Sequence, residues 1–389
     1  MRRSTDRILT THAGSLPREE DLGAMIRRKA AGEALDEATF LARVKDAVGD
    51  VVRLQAEAGI DIVSDGEQGR VGFIPYVNER LTGITPSPTT EAANYWSQSR
   101  EYRAFHDFYA WATSLPGAAG NTGRTRWVCS GPVSYTGHAA LQRDIDNLRA
   151  AMTGQKVVEA LMPAVSPSNL ANWNRNEHYK TEEDYLVALA EALREEYKAI
   201  IDAGLILQID DPLLASYYVM HPEASIDECR TWAAHRIEVL NHALRGLPED
   251  RIRYHTCYSI NIGPRVHDME LRHIVDLILK INAGAYSFEA ANPRHEHEWK
   301  VWESVKLPEN KSLIPGVITH SSNIVEHPDV IAQRIGRFAG VVGRDNVIAG
   351  ADCGFASFAS TCEVHPSVVW VKLAALAEGA RIASRDLWS

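Results

Sequence analysis

At 389 residues the chain has the length of two ordinary domains or of one large barrel, and either buries a substantial core. Composition is that of a globular protein, 45% hydrophobic and 24% charged, and a formal charge of -10 with a pI near 5.9 excludes a predominantly basic surface for nucleic acid or anionic membrane. No apolar run approaches the roughly 18 residues that span a bilayer, the basic start Met1 to Arg7 leads into no apolar signal region, and five cysteines (Cys129, Cys229, Cys257, Cys353, Cys362) are too sparse and odd in number for a disulfide scaffold. A reducing cytoplasm is therefore the expected compartment.

In chain order, Ile8 to Pro17 predicts a short strand ending in a turn, followed by helical periodicity with Asp36 as N-cap for a run to Ala58. Gly59 stops that helix, and Ile60 to Glu67 is the next strand, closing on acidic residues. From Gln68 to about Arg126 the pattern turns irregular and aromatic, with Tyr76, Tyr95, Trp96, Tyr102, Phe105, Phe108, Tyr109 and Trp111. Such a length exceeds a simple connection. It reads as an excursion over one end of the molecule, an oligomer contact, or a substrate lid.

Strand and helix signals then alternate. Arg126 to Pro132 and Val157 to Val165 are strand-like; 182–203 is helical with Gly204 as its stop; Leu205 to Pro212 is a buried strand ending on Asp210 and Asp211. A helix over 227–245 leads to Arg251 to Ser259, a helix over 268–282 leads to Ala285 to Glu289, Ser312 to His320 is a further strand, a helix over 328–342 leads to Val347 to Cys353, and a helix over 367–384 follows. This alternation predicts a parallel sheet with helical crossovers. Nine strand candidates are one more than a (β/α)8 TIM barrel needs, and the run at 126–131, which follows the irregular excursion, is the one to leave out. An open doubly wound sheet is the rival. The barrel is favoured because the strands end in Gly14-Ser15, Glu67, Ser166, Asp210-Asp211, His255 and Cys257, Glu289, His320 and Cys353, polar groups that would ring one mouth. The expectation is one catalytic barrel domain over 1–389 with an insertion at about 68–126.

The chemistry centres on Arg251-Ile-Arg-Tyr-His-Thr-Cys-Tyr-Ser259. Residues i and i+2 of a strand share a face, so His255 and Cys257 present an imidazole nitrogen and a sulfur to one point, a ligand pair suited to zinc. Glu289 and Cys353 end later strands and would complete the set if those strands are neighbours. Singly, a buried Cys is a small apolar core residue and a His a hydrogen-bonded structural one; it is the convergence from separate strands that argues for a metal.

Thr10-Thr-His-Ala-Gly-Ser-Leu-Pro17, Asp65-Gly-Glu67, Gln208-Ile-Asp-Asp-Pro212, His255-Thr-Cys257, Phe288-Glu289 and Asp352-Cys-Gly354 resemble, in order, the motifs of the catalytic barrel of cobalamin-independent methionine synthase. The resemblance covers most of the chain apart from the aromatic excursion. It implies zinc ligands at His255, Cys257, Glu289 and Cys353, homocysteine carboxylate contacts at Gly14 and Ser15, and amino-group contacts at Glu67 and Asp210. Asp211 stands where the family usually has Glu, which leaves its place in substrate binding open. The chain has no room for the second, amino-terminal half of the full-length enzyme, and the segments Asn261 to Met269 and Ala291 to Trp299 look like those of short single-barrel relatives. That group includes corrinoid- or folate-using homocysteine methyltransferases and zinc-dependent epoxyalkane:coenzyme M transferases.

What the resemblance implies chemically is thiol activation. A free thiol with a pKa near 8.5 is mostly protonated at neutral pH, whereas coordination to Zn²⁺ removes its proton. The expected reaction is methyl transfer to homocysteine from methyl-folate or methylcobalamin; the alternatives are alkylation of another thiol by an epoxide, a zinc hydrolase, and a non-catalytic zinc-stabilised barrel. His320 is a candidate acid for the leaving group, with a structural strand-end His as its other reading, and His12 is similarly open. His295 and His297 could be read as a rival metal site or as a solvated helix start, and Arg294 as a holder of an anionic substrate tail. His221, His327 and His365, each followed by Pro, read as turn chemistry.

Overall fold

In a computed structural model of the chain, residues 1–87, 97–114, 127–258, 263–359 and 364–389 are described. Tyr95, Trp96, Asn261 and Cys362 lie outside them. The strands are β1 (Leu9–Thr10), β2 (Ile62–Val63), β3 (Ile84–Pro86), β4 (Trp127–Cys129), β5 (Glu159–Val165), β6 (Asn174–Asn176), β7 (Ile206–Asp210), β8 (Ile252–His255), β9 (Ala285–Phe288), β10 (Ser312–Ile318) and β11 (Ile348–Ala351). Eight of them form one sheet in the order β1-β11-β10-β9-β8-β7-β5-β2, with every pairing parallel. A parallel bridge between Thr11 and Ile62 brings its two ends together. The fold is a (β/α)8 TIM barrel.

The strand-like run at 126–131 is indeed outside the barrel. Its core, β4, pairs antiparallel with β3 and parallel with β6 in a separate sheet of three short strands.

Three of the long helices combine a side-chain cap with an apolar stripe. Asp36 accepts a bond from Thr39 N at 2.9 Å and opens Glu37–Glu57, whose Phe40, Val44, Val48, Val51 and Val52 are buried at helical spacing. Thr181 caps Glu182–Asp202 beside three acidic residues that favour the positive end of the helix dipole. Ser225 and Glu228 form a reciprocal capping box at Ile226–Leu244. The continuous helix expected over 268–282 is broken into a 3-10 turn, Leu271–His273, and one short helix, Val275–Ile278. A distant carboxylate intervenes: Leu271 N donates to Glu298 at 2.6 Å, and Asp268 is drawn into an ion pair with Arg265, so the first turn does not continue as a helix.

Inside the barrel, side chains change character along each strand with the period of two that the pleat imposes. The floor is apolar: Leu9, Ile62, Leu161, Ile206, Ala285, Ile314 and Ile348 pack together. Two residues further along β7 and β8 the layer turns polar. Buried Arg253 donates to Gln208 Oε1, to Thr11 Oγ1 at 2.8 Å and to the His12 carbonyl. One more step brings Asp210 opposite His255 in register. Gly316 and Gly350 keep the opposite wall low: a Cβ at Gly316 would lie 2.6 Å from Asp352 Cα.

Candidate active site at the barrel mouth

Cys257 and Cys353, 96 residues apart in sequence, place their sulfurs 3.4 Å from one another. With a ring nitrogen of His255 they form a buried group whose ligand atoms all lie within 4.8 Å. His255 Nδ1 faces Ser287 Oγ at 3.2 Å, while Nε2 is buried and has no hydrogen-bond partner. Burial, with lesser contributions from Arg253 and His320, pushes the His255 imidazolium down to about 3, so the ring is neutral, the form that binds a metal. The hydrogen bond with Cys257, then burial, pushes the Cys353 thiol up. Two buried thiols and an imidazole with an orphaned nitrogen are a donor set that a tetrahedral, thiophilic cation fits, because such a cation supplies the charge that thiolates need.

The first strand and its turn flank this cluster. Gly14 has φ 133°, and a Cβ there would lie 2.9 Å from Pro163 and 3.0 Å from Glu67 Oε1, so only glycine lets the turn pass this close to the carboxylate. A Cβ on Gly354, next to Cys353, would collide with Ser15 Oγ. The Gly14-Ser15 turn thus runs between Glu67 on one side and the thiol cluster on the other. Ser15 Oγ accepts from Ala356 N at 3.3 Å and keeps its own proton for another acceptor.

Glu67 and Asp210 are both buried and both shifted up, Glu67 by burial and Asp210 by burial and then by Glu67 itself. Glu67 sits at φ 56°, an uncommon backbone conformation for a side chain of this size, and its Oε2 has no hydrogen-bond partner. Gln208 Nε2 donates to Asp210 Oδ1 at 2.6 Å. Two buried carboxylates that act on one another are costly as a charged pair, and Arg70 offsets part of that cost. Asp211 turns elsewhere: it accepts from Asn169 Nδ2 at 2.7 Å, and burial raises its carboxyl to about 7.

Glu289 is placed beside the thiol cluster and outside its three-atom group. Its Oε1 accepts from Tyr258 N at 2.8 Å, its Oε2 from Asn292 Nδ2 at 2.7 Å, and Arg265 Nη1 lies 2.8 Å from Oε2. Glu289, His320 and Asp352 offer ligand atoms within 4.8 Å of one another. Asp352 Oδ1 accepts from Ala290 N and Ala291 N at 2.7 and 2.8 Å, and Oδ2 from Asn292 N at 3.0 Å, fixing the loop that follows Glu289.

The catalytic-domain model of cobalamin-independent synthase matches residues 8–107 and 124–375. The chain belongs to the cobalamin-independent methionine synthase family. Methionine synthases of Saccharolobus islandicus and Saccharolobus solfataricus are 24% identical over 382 residues and 25% identical over 390 residues, each alignment covering 97% of this chain and 95% of the relative. The solved B12-independent methionine synthase of Shewanella sp. W3-18-1, in complex with selenomethionine, superposes with a TM-score of 0.73 at 23% identity, covering 98% of this chain and 99% of that one. This likeness bears on the fold.

Other residues of this family member that the sequence singles out take the following places. His12 is held at both nitrogens, with Nε2 2.7 Å from Gln55 Oε1 and Nδ1 accepting from Gly14 N at 3.2 Å, which makes it a turn-shaping residue. His295 is neither solvated nor, among the described residues, part of a metal-ligating group: it is buried, with Nδ1 2.8 Å from Glu298 and Nε2 3.1 Å from Asp268. Arg294 donates to the carbonyls of Arg265 and Val266 at 3.0 and 3.2 Å instead of facing an open subsite. His327 accepts from Asp329 N at 3.2 Å as a helix cap, in line with its expected turn role. Arg265, Asn292 and Asp352 went unassigned in the sequence; the one signal was Asp352 standing next to Cys353 in a motif.

Proposed function

We propose that the chain is a zinc-dependent homocysteine S-methyltransferase that forms methionine, acting as a single catalytic barrel over 1–389 with 68–126 as an insertion. The observation that carries the reading is the juxtaposition, across the Gly14-Ser15 turn, of a two-thiol, one-imidazole cluster with the paired carboxylates of Glu67 and Asp210. His255, Cys257 and Cys353 would hold the metal, with Glu289 as the fourth ligand. Bound there, Zn²⁺ would take up the acceptor sulfur as thiolate at neutral pH.

The remaining steps fall to the chain's own groups. Glu67 and Asp210 bind the ammonium, whose charge relieves their mutual repulsion, and Ser15 donates its hydroxyl proton to the amino-acid carboxylate. Asp211 would act at one remove, holding the Asn169 amide that also reaches the Asp210 carbonyl. Held by both ends, the acceptor presents its sulfur in one orientation. A bond forms between that sulfur and the donor's methyl carbon as the bond from the carbon to its carrier breaks; His320, buried beside Glu289 and Asp352, delivers the proton a leaving nitrogen or oxygen needs. The same carboxylate pair disfavours a sulfonate thiol such as coenzyme M, which offers no ammonium and brings a second negative charge. No helix among the described residues is long and apolar enough to cross a membrane; the proposed site needs both thiols reduced, so the proposed compartment is the reducing cytoplasm.

The test is a matrix of zinc-loaded enzyme with methyl-folate, methylcobalamin and an epoxide against homocysteine and coenzyme M, read by mass spectrometry. Methionine from homocysteine with one methyl donor is the expected result. An epoxide adduct of coenzyme M, with no methionine formed, would replace this reading.

A further inference from the structure

We propose that Arg265 is a positioning residue: it receives the Glu289 carboxylate when the acceptor thiol takes its place at the metal, and Glu101 from the aromatic excursion sets Arg265 for that task. The inference rests on the zinc reading above. Glu289 is 1% exposed, so wherever its carboxylate goes it must find charge and donors inside the protein. Such a receptacle is built. Tyr258 N, Asn292 Nδ2 and Arg265 Nη1 surround the two oxygens at 2.8, 2.7 and 2.8 Å. Tyr258 directly follows Cys257, so the receptacle is one peptide away from the thiol cluster.

Arg265 has the features of a group placed for a purpose. It is 5% exposed and pairs with Asp268 through Nε at 2.8 Å, leaving the far side of the guanidinium for Glu289. Nη1 lies 2.8 Å from Glu289 Oε2, so the outer edge of the fork already faces the carboxylate it would receive. Its backbone is in the left-handed region, φ 58°, a conformation that persists in a side-chain-bearing residue when the surroundings impose it. Glu101 imposes it: its Oε2 accepts from Arg265 N at 3.2 Å and its Oε1 from His267 N at 2.8 Å. Glu101 is itself 0% exposed, so the excursion reaches the mouth through a buried carboxylate. A purely structural ion pair would share this burial but would have no effect on how the metal divides itself between Glu289 and a thiol.

The experiment compares wild type, Arg265→Met, Arg265→Lys, Glu101→Gln, Glu289→Gln and the Arg265→Met/Glu289→Gln double variant, with folding checked by circular dichroism. Zinc affinity is measured by competition with a chromophoric chelator, and homocysteine affinity of the zinc-loaded protein by calorimetry without a methyl donor. With its receptacle gone, Glu289 should stay on the metal: Arg265→Met tightens zinc and weakens homocysteine, each by about tenfold, in the range typical of outer-shell changes. Arg265→Lys should recover most of both shifts, Glu101→Gln should show smaller shifts of the same sign, and the double variant should lose them. If Arg265→Met, or Arg265→Lys and Glu101→Gln where that variant does not fold, leaves both affinities within twofold, the proposal is overturned. It is equally overturned if the shifts persist without the Glu289 carboxylate. A wild-type protein that binds no zinc would instead overturn the functional reading on which it rests.

Discussion

Asp210→Asn separates the cost of the carboxylate pair from its use. In the free protein Asp210 is buried, its carboxyl raised first by burial and then by Glu67, and Gln208 is its side-chain donor. An Asn keeps an acceptor for Gln208 and removes the charge. A charge-assisted hydrogen bond in a buried site contributes about 1.5–3 kcal/mol, and about 1.4 kcal/mol is tenfold in affinity, so homocysteine should bind about 10- to 150-fold more weakly. Stability should move the other way. A carboxyl whose folded pKa is raised favours the fold while protonated, below its ordinary value of 3.8, and loses that contribution as pH rises through the folded value. The variant stays neutral throughout, so its melting temperature at pH 7 should exceed that of wild type, and the gap should close toward pH 4. Calorimetric titration and thermal melts read both effects. Unchanged homocysteine affinity, or an equal loss for a thiol with no amino group, would refute the assignment of the pair to the ammonium.

Cys353→Ser should abolish stoichiometric zinc and thiol alkylation together, checked by elemental analysis and methionine formation; a fully active, zinc-free variant would sink the metal reading. Gly316→Ala should cost about 1–3 kcal/mol or more, because its Cβ would meet the backbone of Asp352, which is tethered by its N–H to Ile318 and by its carboxylate to the loop after Glu289; denaturant melts measure it, and a neutral result contradicts the packing described. His295 is raised to about 9, burial pulling it down but Asp268 and Glu298 outweighing that. Its contribution is therefore fully present below about 6.5 and lost as pH rises through 9, so the stability gap between wild type and His295→Gln should shrink over that window. His320→Asn should lower turnover by about 10²- to 10⁴-fold with homocysteine affinity retained; unchanged turnover would remove His320 from proton delivery.

Much of the barrel was legible because it rests on local signals. Asp36 marks a helix start by its side-chain chemistry, and the strand-end polar residues follow from the pleat once the strands are known to be parallel. His255 and Cys257 declared their common face by spacing alone, and Cys353 joined them because β11 and β8 both end at the mouth. What stayed hidden depends on long-range pairing. Nothing near Arg265 in the sequence says that a carboxylate from residue 101 will fix its backbone or that Glu289 will be its partner. The alternation of His and Glu at 295–298 resembles a solvated helix start, yet Asp268 supplies the buried counter-charge that lets His295 go inside. The helical pattern at 268–282 yields to the same network, since a side-chain carboxylate takes a backbone donor that a helix would have used.

The claim beneath all of this is that His255, Cys257 and Cys353 share one zinc ion that accepts the substrate sulfur. X-ray absorption at the zinc edge, on the loaded protein before and after adding homocysteine, tests it most directly. The account predicts two sulfur neighbours rising to three. A count that starts at zero, or that does not change with the thiol bound, contradicts it.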